Sequence, residues 1–425
     1  MSGRRLRVLF VIKNLQQGGT EGQLLQMLET LDASLFEYRL CTVSSEVHYA
    51  GLPKNGLIGS LDTRVSDRRV PRRLAAIIDQ YRPDLIHSFR DHVNFQIWRA
   101  LRRTQHQPAV LMSVRGRPIY PQYLALARLI SGRCFKVTVN SKSVAAALTG
   151  VGRVPAERIE IIHNVSDADR FQPPSASQRR EARAALDLTD DGFVLLCPAR
   201  LSFVKNQIGL IVSLAMLKRR RRLPDDFRLL LPGRVRDPWS DRLMRLLIRA
   251  AGLARWVRIP GPIADLRPYY HAADALVLPS WAEGMPNVSL EGHLAGLPAI
   301  VSRQANRDEI VVAGETGFVV PTGRPGPLAQ AIADMMALPA ETRRAMGQRG
   351  RARVQELFPR DAALERMTNL YLQAIADRAR HAPLPATAPA RLPTTSATPA
   401  PAVTSSLLPS LPNAAPRPTR AARAR

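Results

Sequence analysis

Ala275-Leu276-Val277-Leu278-Pro279-Ser280-Trp281-Ala282-Glu283-Gly284-Met285-Pro286-Asn287-Val288-Ser289-Leu290-Glu291-Gly292 is the stretch that decides the fold. Its first five residues form a short apolar run that ends in turn residues, the pattern of a strand buried on both faces. A loop containing Gly284 follows. A helix is expected to start near Pro286, because the fixed φ and missing N–H of proline suit a first helical turn. Strand, loop and helix in that order make half of a parallel βαβ unit.

The same unit recurs on either side. In the second half of the chain, strands are expected at Phe193–Pro198, Phe227–Leu231, Trp256–Ile259, Ala299–Ser302 and Phe318–Val320. In the first half they are expected at Leu6–Ile12, Tyr38–Val43, Asp84–His87, Ala109–Val114, Lys136–Asn140 and Arg158–Ile162. Amphipathic stretches of helical period lie between them, such as Thr20–Leu31, Arg72–Tyr81, Val93–Arg103 and Tyr120–Ser131. A break from Asp167 to Asp191, with Pro173-Pro174, separates the two series. Each series runs to about 170 residues, the size of one domain. The fold class is therefore α/β, with two doubly wound domains facing across a cleft. Ligands in such sheets bind beyond the carboxyl ends of the strands, so the loops after each strand carry the function.

Composition narrows the classes. Of 425 residues, 45% are hydrophobic and 23% charged, which excludes a fully disordered chain, a collagen and a coiled coil. Lys and Arg total 61 against 35 Asp and Glu, a net charge of +26, and only six of the cations are lysines. An Arg-, Ala- and Pro-rich chain reads as genome bias together with a general attraction for anionic substrates. Contact with an anionic membrane is the next reading. No nucleic-acid motif accompanies the charge, so no specific nucleic-acid partner is expected. Cys41, Cys134 and Cys197 stand far apart, without the spacing of a disulfide framework or a zinc site. No run of about 18 apolar residues occurs, so a cytoplasmic chain that does not cross a membrane is expected. Residues 382–425 hold ten prolines, five arginines and no acid, and read as a disordered tail.

Three loops carry candidate chemistry. After the first strand, Gly18-Gly19-Thr20-Glu21 opens a helix. Paired glycines let backbone approach a ligand, the helix N-terminus offers N–H groups to an anion, and Thr20 is a candidate N-cap. The pattern is not Gly-x-Gly-x-x-Gly, so no nicotinamide or flavin cofactor is indicated. After Phe193–Pro198, Arg200 and Lys205 place two cations five residues apart at a helix start. Arginine can grip phosphate oxygens bidentately and lysine adds a mobile charge, a pairing that suits a diphosphate; surface cations are the plainer alternative. In the opening stretch, Glu283 can orient sugar hydroxyls and Glu291 can accept hydrogen bonds from a diol. By spacing alone they are equally readable as solvated carboxylates.

Taken in order, these segments resemble glycosyltransferase family 4, the retaining transferases of the GT-B fold. Gly18-Gly19-Thr20-Glu21 is similar to the family's glycine loop. Ile162-His163-Asn164-Val165-Ser166-Asp167 with Arg170-Phe171 is similar to its interdomain segment, with Val165 where glycine is usual. Arg200 and Lys205 match the donor-phosphate pair, and His271-Ala272-Ala273-Asp274-Ala275 to Ser280, then Glu283 and Glu291, match the Glu-x7-Glu region. Gly314-Glu315-Thr316-Gly317-Phe318 resembles the closing glycine turn.

The resemblance implies a hexosyltransferase that uses a nucleotide-diphosphate sugar, UDP-linked by expectation, and a glycan or lipid-linked glycan acceptor in polysaccharide or lipopolysaccharide assembly. Arg200 and Lys205 would neutralise the leaving diphosphate and Glu291 would hold the ribose. Glu283, Gly284, Met285, Asn287 and Val288 would hold the donor sugar, and Gly18 and Gly19 would approach the phosphates. Residues 1–172 would form the acceptor-side domain and 173–360 the donor domain. Residues 361–381 would form a helix returning to the first domain. No metal or other cofactor is required, because cations already face the diphosphate; Asp167-Ala168-Asp169 sits in the wrong segment to be a metal motif.

Two departures concern the acceptor side. Only His87 remains of a usual His-x-His, and Arg115 stands where a histidine-containing turn is common. Both are acceptor-side candidates, with a buried structural role the alternative for His87. Arg68, Arg69, Arg72 and Arg73 are candidates for peripheral contact with the inner face of an anionic membrane, or simply a solvated surface. A nucleotide-sugar epimerase and a non-catalytic polyanion-binding homologue are the alternative functions.

Overall fold

The computed structural model describes residues 4–16, 18–46, 57–116 and 121–381. The expected tail, Gln17 of the glycine loop and Tyr120 at the start of an expected helix lie outside the described residues.

The first half of the chain forms β1 (Leu6–Ile12), β2 (Phe36–Thr42), β3 (Leu57–Ser60), β4 (Leu85–Phe89), β5 (Ala109–Val114), β6 (Lys136–Val139) and β7 (Ile159–Ile161). They make one parallel sheet in the order β3-β2-β1-β4-β5-β6-β7. The second half forms β8 (Val194–Leu196), β9 (Arg228–Pro232), β10 (Val257–Gly261), β11 (Ala275–Leu278), β12 (Ala299–Ser302) and β13 (Gly317–Val320), a parallel sheet in the order β10-β9-β8-β11-β12-β13. Helices cover both faces of each sheet, so the central strands are apolar on both sides and read as continuous hydrophobic runs. This is the GT-B architecture of two facing Rossmann-like domains.

Two local expectations need correcting. β3 is a short edge strand, Leu-Ile-Gly-Ser, with too few apolar residues to stand out in sequence. The helix after β1 spans Gly19–Thr30 with Gly18, not Thr20, at its N-cap. A Cβ at Gly18 would lie 2.5 Å from the Glu21 carboxylate, so the Glu21 side chain would have to shift.

The long helix Arg360–His381 runs back from the second domain and lies on β4 and β5 of the first. Met367, Leu370, Tyr371 and Ala374 join the core that holds Phe10, Phe36 and Leu85. Arg360 pairs with Asp167 at 3.2 Å, and Arg366 with Glu160 at 2.6 Å. Asp167 also takes the N–H groups of Asp169 and Arg170, so it closes a turn between the domains.

One buried cation locks the second domain. Arg183, 1% exposed, donates to the carbonyls of Ala272, Thr189, Asp190 and Gly192 and to Asp274 at 2.7 Å. Asp274 in turn accepts from Arg179 and from the Val194 N–H at the start of β8. Without Arg183 these four carbonyls lose a charged donor, while Asp274 keeps Arg179 and the Val194 N–H. Arg183→Met is therefore expected to destabilise the second domain by about 3–5 kcal/mol in denaturant unfolding, the cost of several buried acceptors left unsatisfied. A loss below ~1 kcal/mol would show that water replaces the guanidinium freely.

Candidate active site

In a doubly wound sheet the crevice opens where the strand order reverses. That point lies between β1 and β4 in the first domain and between β8 and β11 in the second. Each holds an ion pair.

In the second domain the pair is Lys205 and Glu283, with Nζ 2.5 Å from Oε1 and side chains 16% and 12% exposed. Lys205 ends a 3-10 turn, Phe203–Lys205, after β8. The next residue, Asn206, adopts φ 54, a left-handed conformation that asparagine tolerates. Its side chain caps the helix Gln207–Arg219 and donates to the Pro279 carbonyl at 3.1 Å. The Trp281 N–H donates to the Val204 carbonyl at 2.8 Å. The loops after β8 and β11 are thereby tied together, which fixes the distance between lysine and carboxylate.

Arg200 is partly buried; its carbonyl accepts from the Gln207 side chain at 3.0 Å, while its guanidinium has no hydrogen-bond or ion-pair partner among the described residues. Burial lowers its pKa first, and the guanidinium groups of Arg236 and Arg90 lower it further; Glu21 and Glu283 act the other way. Arg200 is thus a cation in a positive field, the condition that favours an incoming anion.

Glu291 lies on the helix Asn287–Leu294 and accepts from the Tyr270 hydroxyl at 2.7 Å. Burial raises the Glu291 pKa above the usual carboxylate range, with the tyrosine hydrogen bond opposing.

In the first domain the pair is Arg90 and Glu21, 2.6 Å apart. Glu21 is on the first turn of the helix Gly19–Thr30 and is 3% exposed; its second oxygen has no partner among the described residues. Arg90 directly follows β4 with φ 78, a strained value for a residue with a side chain, and its Nε is also buried without a partner. Arg90 did not stand out in the sequence, and Glu21 stood there only as the last residue of the glycine loop. Their signal was positional: both flank the strand ends at which the order reverses.

Asn164 joins the domains. It is buried, and its amide donates to the Met285 carbonyl at 2.8 Å and to Asn287 Oδ1 at 2.6 Å. Its oxygen accepts from Arg115 at 3.0 Å. Asn287 completes the chain by donating to the Gly19 carbonyl at 3.2 Å. Within the first domain, Gln23 fixes the segment that follows Asn164 by exchanging hydrogen bonds with the Val165 backbone. Gly284 lets this face close, since a Cβ there would stand 3.0 Å from the Arg115 carbonyl.

The candidates from sequence therefore separate into groups. Lys205, Glu283 and Arg200 converge, and Glu291 stands on the helix that leaves their loop. Gly19 and Asn287 touch each other across the cleft. Val288 is partly buried in the first turn of that helix. Met285 is core: its side chain is buried and its sulfur accepts the Asn164 N–H. Arg115 lies on the interdomain face. His87 is not on the cleft wall. It is fully buried, with Nδ1 2.7 Å from the Tyr371 hydroxyl and Nε2 2.8 Å from Ser113 Oγ. Burial, and then Arg115, hold it well below the usual histidine pKa, so it is a neutral core histidine.

Comparison with known proteins fits this geometry. Residues 17–170 match the model described as Glycosyltransferase Family 4, and residues 178–353 match that of Glycosyl transferases group 1. The chain belongs to glycosyltransferase family 4. EpsD of Bacillus subtilis (strain 168), named a glycosyltransferase, is 28% identical over 314 residues, which is 71% of this chain and 80% of that one. The D-inositol 3-phosphate glycosyltransferase of Salinispora tropica is 28% identical over 250 residues, 57% of this chain and 52% of the relative, so the match spans about half of that protein. The structure of Anabaena HepE in complex with UDP-glucose superposes with a TM-score of 0.74 at 18% identity, covering 87% of this chain and 100% of that one, a likeness of fold. This member of the family is an enzyme, a glycosyltransferase. No helix among its described residues is long and apolar enough to cross a membrane.

The helix that carries Glu291 also makes this site sensitive to acid. His293 is fully buried, donates from Nδ1 to the Leu297 carbonyl at 3.0 Å, and leaves Nε2 without a partner. Burial lowers its pKa to about 4. The unfolded chain takes up this proton near the ordinary value of about 6.5, so the folded state binds fewer protons between the two values. The contribution is complete above pH ~6.5 and falls by up to about 3 kcal/mol as pH drops toward ~4. Unfolding curves across that window should show the slope, and His293→Gln should flatten it; an unchanged slope would refute the assignment.

Proposed function

We propose that this glycosyltransferase moves a hexose from a nucleotide-diphosphate sugar, with uridine as its base, to a glycan or lipid-linked glycan, and retains the anomeric configuration. The observation that carries the reading is the Lys205–Glu283 pair at 2.5 Å beside the Arg200 guanidinium, which has no partner among the described residues. Without donor, Glu283 compensates the lysine charge. With donor, the diphosphate takes Lys205 and Arg200, and Glu283 turns to the hydroxyls of the sugar. Glu291, already held by Tyr270, keeps its other oxygen for the ribose diol. The N–H groups at the start of the helix Asn287–Leu294 and the Gly19 backbone lie beside the phosphates. HepE, which shares the fold, is known with UDP-glucose bound, and this supports a nucleotide sugar as the donor class.

In the transfer, the bond from the anomeric carbon to the phosphate oxygen breaks and negative charge moves onto the diphosphate. Arg200 and Lys205 stabilise that charge in a site largely closed to water. The acceptor oxygen attacks the same face of the sugar and its proton passes to the departing phosphate oxygen. Asn164 and the contacts of Asn287 hold the domains together so that donor and acceptor meet. The side chains supply the charge compensation, so the reading uses no metal. Assembly of a polysaccharide or lipopolysaccharide at the inner face of the cytoplasmic membrane is its proposed setting.

A thermal-shift panel of uridine, guanosine and adenosine diphosphates and their sugars should single out one nucleotide, with about 2.7 kcal/mol of stabilisation at 100 times the dissociation constant. A response to short DNA alone would refute the reading. Product analysis without acceptor separates transfer from epimerisation. Glu291→Ala should weaken donor binding about 10- to 100-fold, the worth of charged hydrogen bonds to a diol. Donor affinity should also fall with acid at a pH above the ordinary carboxylate range, because the buried Glu291 takes up its proton early. Glu283→Gln should lower turnover while UDP still binds; a wild-type rate would remove Glu283 from the mechanism.

A further inference from the structure

Large apolar side chains are exposed at nine positions among the described residues, and five of them belong to one region of the second domain: Phe203, Val235, Trp239, Leu246 and Trp281. The region is continuous. Leu201 bridges to Val235, and Asp237 holds the Phe203 N–H. Phe203 and Trp281 stack with ring centroids 6.2 Å apart and planes 9° from parallel. The Trp281 ring lies over Gly323, where a Cβ would come within 2.1 Å of it. A groove of about 240 Å³, lined by Phe203, Ile208, Val212, Met244, Trp281 and Pro325 among others, opens beside the stack.

The helix Pro238–Ala250 borders this groove and shows two faces. Ser240, Met244 and Ile248 are buried. The opposite face presents Trp239, Arg242, Leu246 and Arg249, spaced by three, four and three residues, with Trp239 64% and Leu246 61% exposed. Asp241 is engaged with Arg245, and Asp237 caps the helix. The outward cations Arg242 and Arg249 have no acidic partner among the described residues. Apolar and aromatic groups interleaved with free arginines on one helix face are the pattern of a segment that lies in a membrane interface. Tryptophan seats at the headgroup level and arginine reaches back to anionic headgroups.

We propose that this face docks on an anionic lipid bilayer, with Trp239, Leu246, Phe203 and Trp281 entering the interface and the groove receiving acyl-chain methylenes. A second copy of the chain is the poorer occupant, because a two-fold contact would set Arg242 and Arg249 against their own copies. Of the four N-domain arginines, Arg69 is paired with Asp67 and Arg73 donates to the Leu61 carbonyl; Arg68 and Arg72 are exposed, and neither Val70 nor Pro71 between them is exposed to accompany them into a bilayer. Phe203 and Trp281 each stand two residues from the Lys205–Glu283 pair, so docking brings the cleft to the lipid surface. The use of this surface rests on the lipid-linked acceptor proposed above; its test does not.

The full chain is mixed with vesicles of phosphatidylcholine containing phosphatidylglycerol, and sedimentation and tryptophan quenching by brominated lipid are read together. The wild type should sediment and be quenched. W239F/W281F, which keeps Trp98 and Trp256, should sediment but lose the quenching. W239S/L246S should partition about tenfold more weakly or less, with its melting temperature and UDP-induced shift unchanged. Sedimentation without quenching, or undiminished in W239S/L246S, would place the lipid contact elsewhere and overturn the proposal. Concentration-dependent self-association that W239S/L246S abolishes would make the face a protein interface and overturn it equally. Vesicle binding without transfer activity would uphold the surface while counting against the proposed reaction.

Discussion

The two domains form one site because a single buried amide spends all its hydrogen bonds between them. Asn164 donates to Met285 and Asn287 in the second domain and accepts from Arg115 in the first. Its removal would leave a carbonyl, an amide oxygen and a guanidinium without partners in a buried place, a cost no apolar residue could offset. Through Asn287 the same chain reaches Gly19, so the glycine loop and the start of the helix Asn287–Leu294 are held at hydrogen-bond distance. Everything inferred about phosphate recognition depends on that closure.

Around this clasp the two sheets repeat one solution. Each places a carboxylate and a cation at the point where its strand order reverses, Glu21 with Arg90 and Glu283 with Lys205. A buried charge needs a compensating one, and each pair supplies it. The pairs differ in freedom. Lys205 is a flexible point charge that can change partner without strain. Arg90 is bound to a strained backbone and a carboxylate with one idle oxygen. The second domain thus carries the mobile cation of the two pairs, and the first the one set on strained backbone.

The long C-terminal helix explains why His87 is buried. Tyr371 descends from that helix into the first domain and takes one ring nitrogen of His87, while Ser113 takes the other. A strand that ends in Pro-Asp-Leu-Ile-His looks the same in sequence whether its histidine faces solvent or a returning helix. The position of Tyr371, 284 residues away, decides between the two.

What the sequence alone determined is whatever depends on neighbours along the chain. Runs such as Ala275–Leu278 are strands because apolar residues between turn formers have no other low-energy state beside two layers of helix. The glycine loop, the Arg200–Lys205 spacing and the pair Glu283 and Glu291 were legible because each sits within one strand–loop–helix unit. Tertiary structure alone decided the short edge strand β3, the partners of Asn164, the burial of Met285 and His87, and the role of Arg90 and Glu21. The reason is physical. A side chain's charge state, exposure and partners are set by groups that reach it through space, and here those groups come from the other domain or from the far end of the chain.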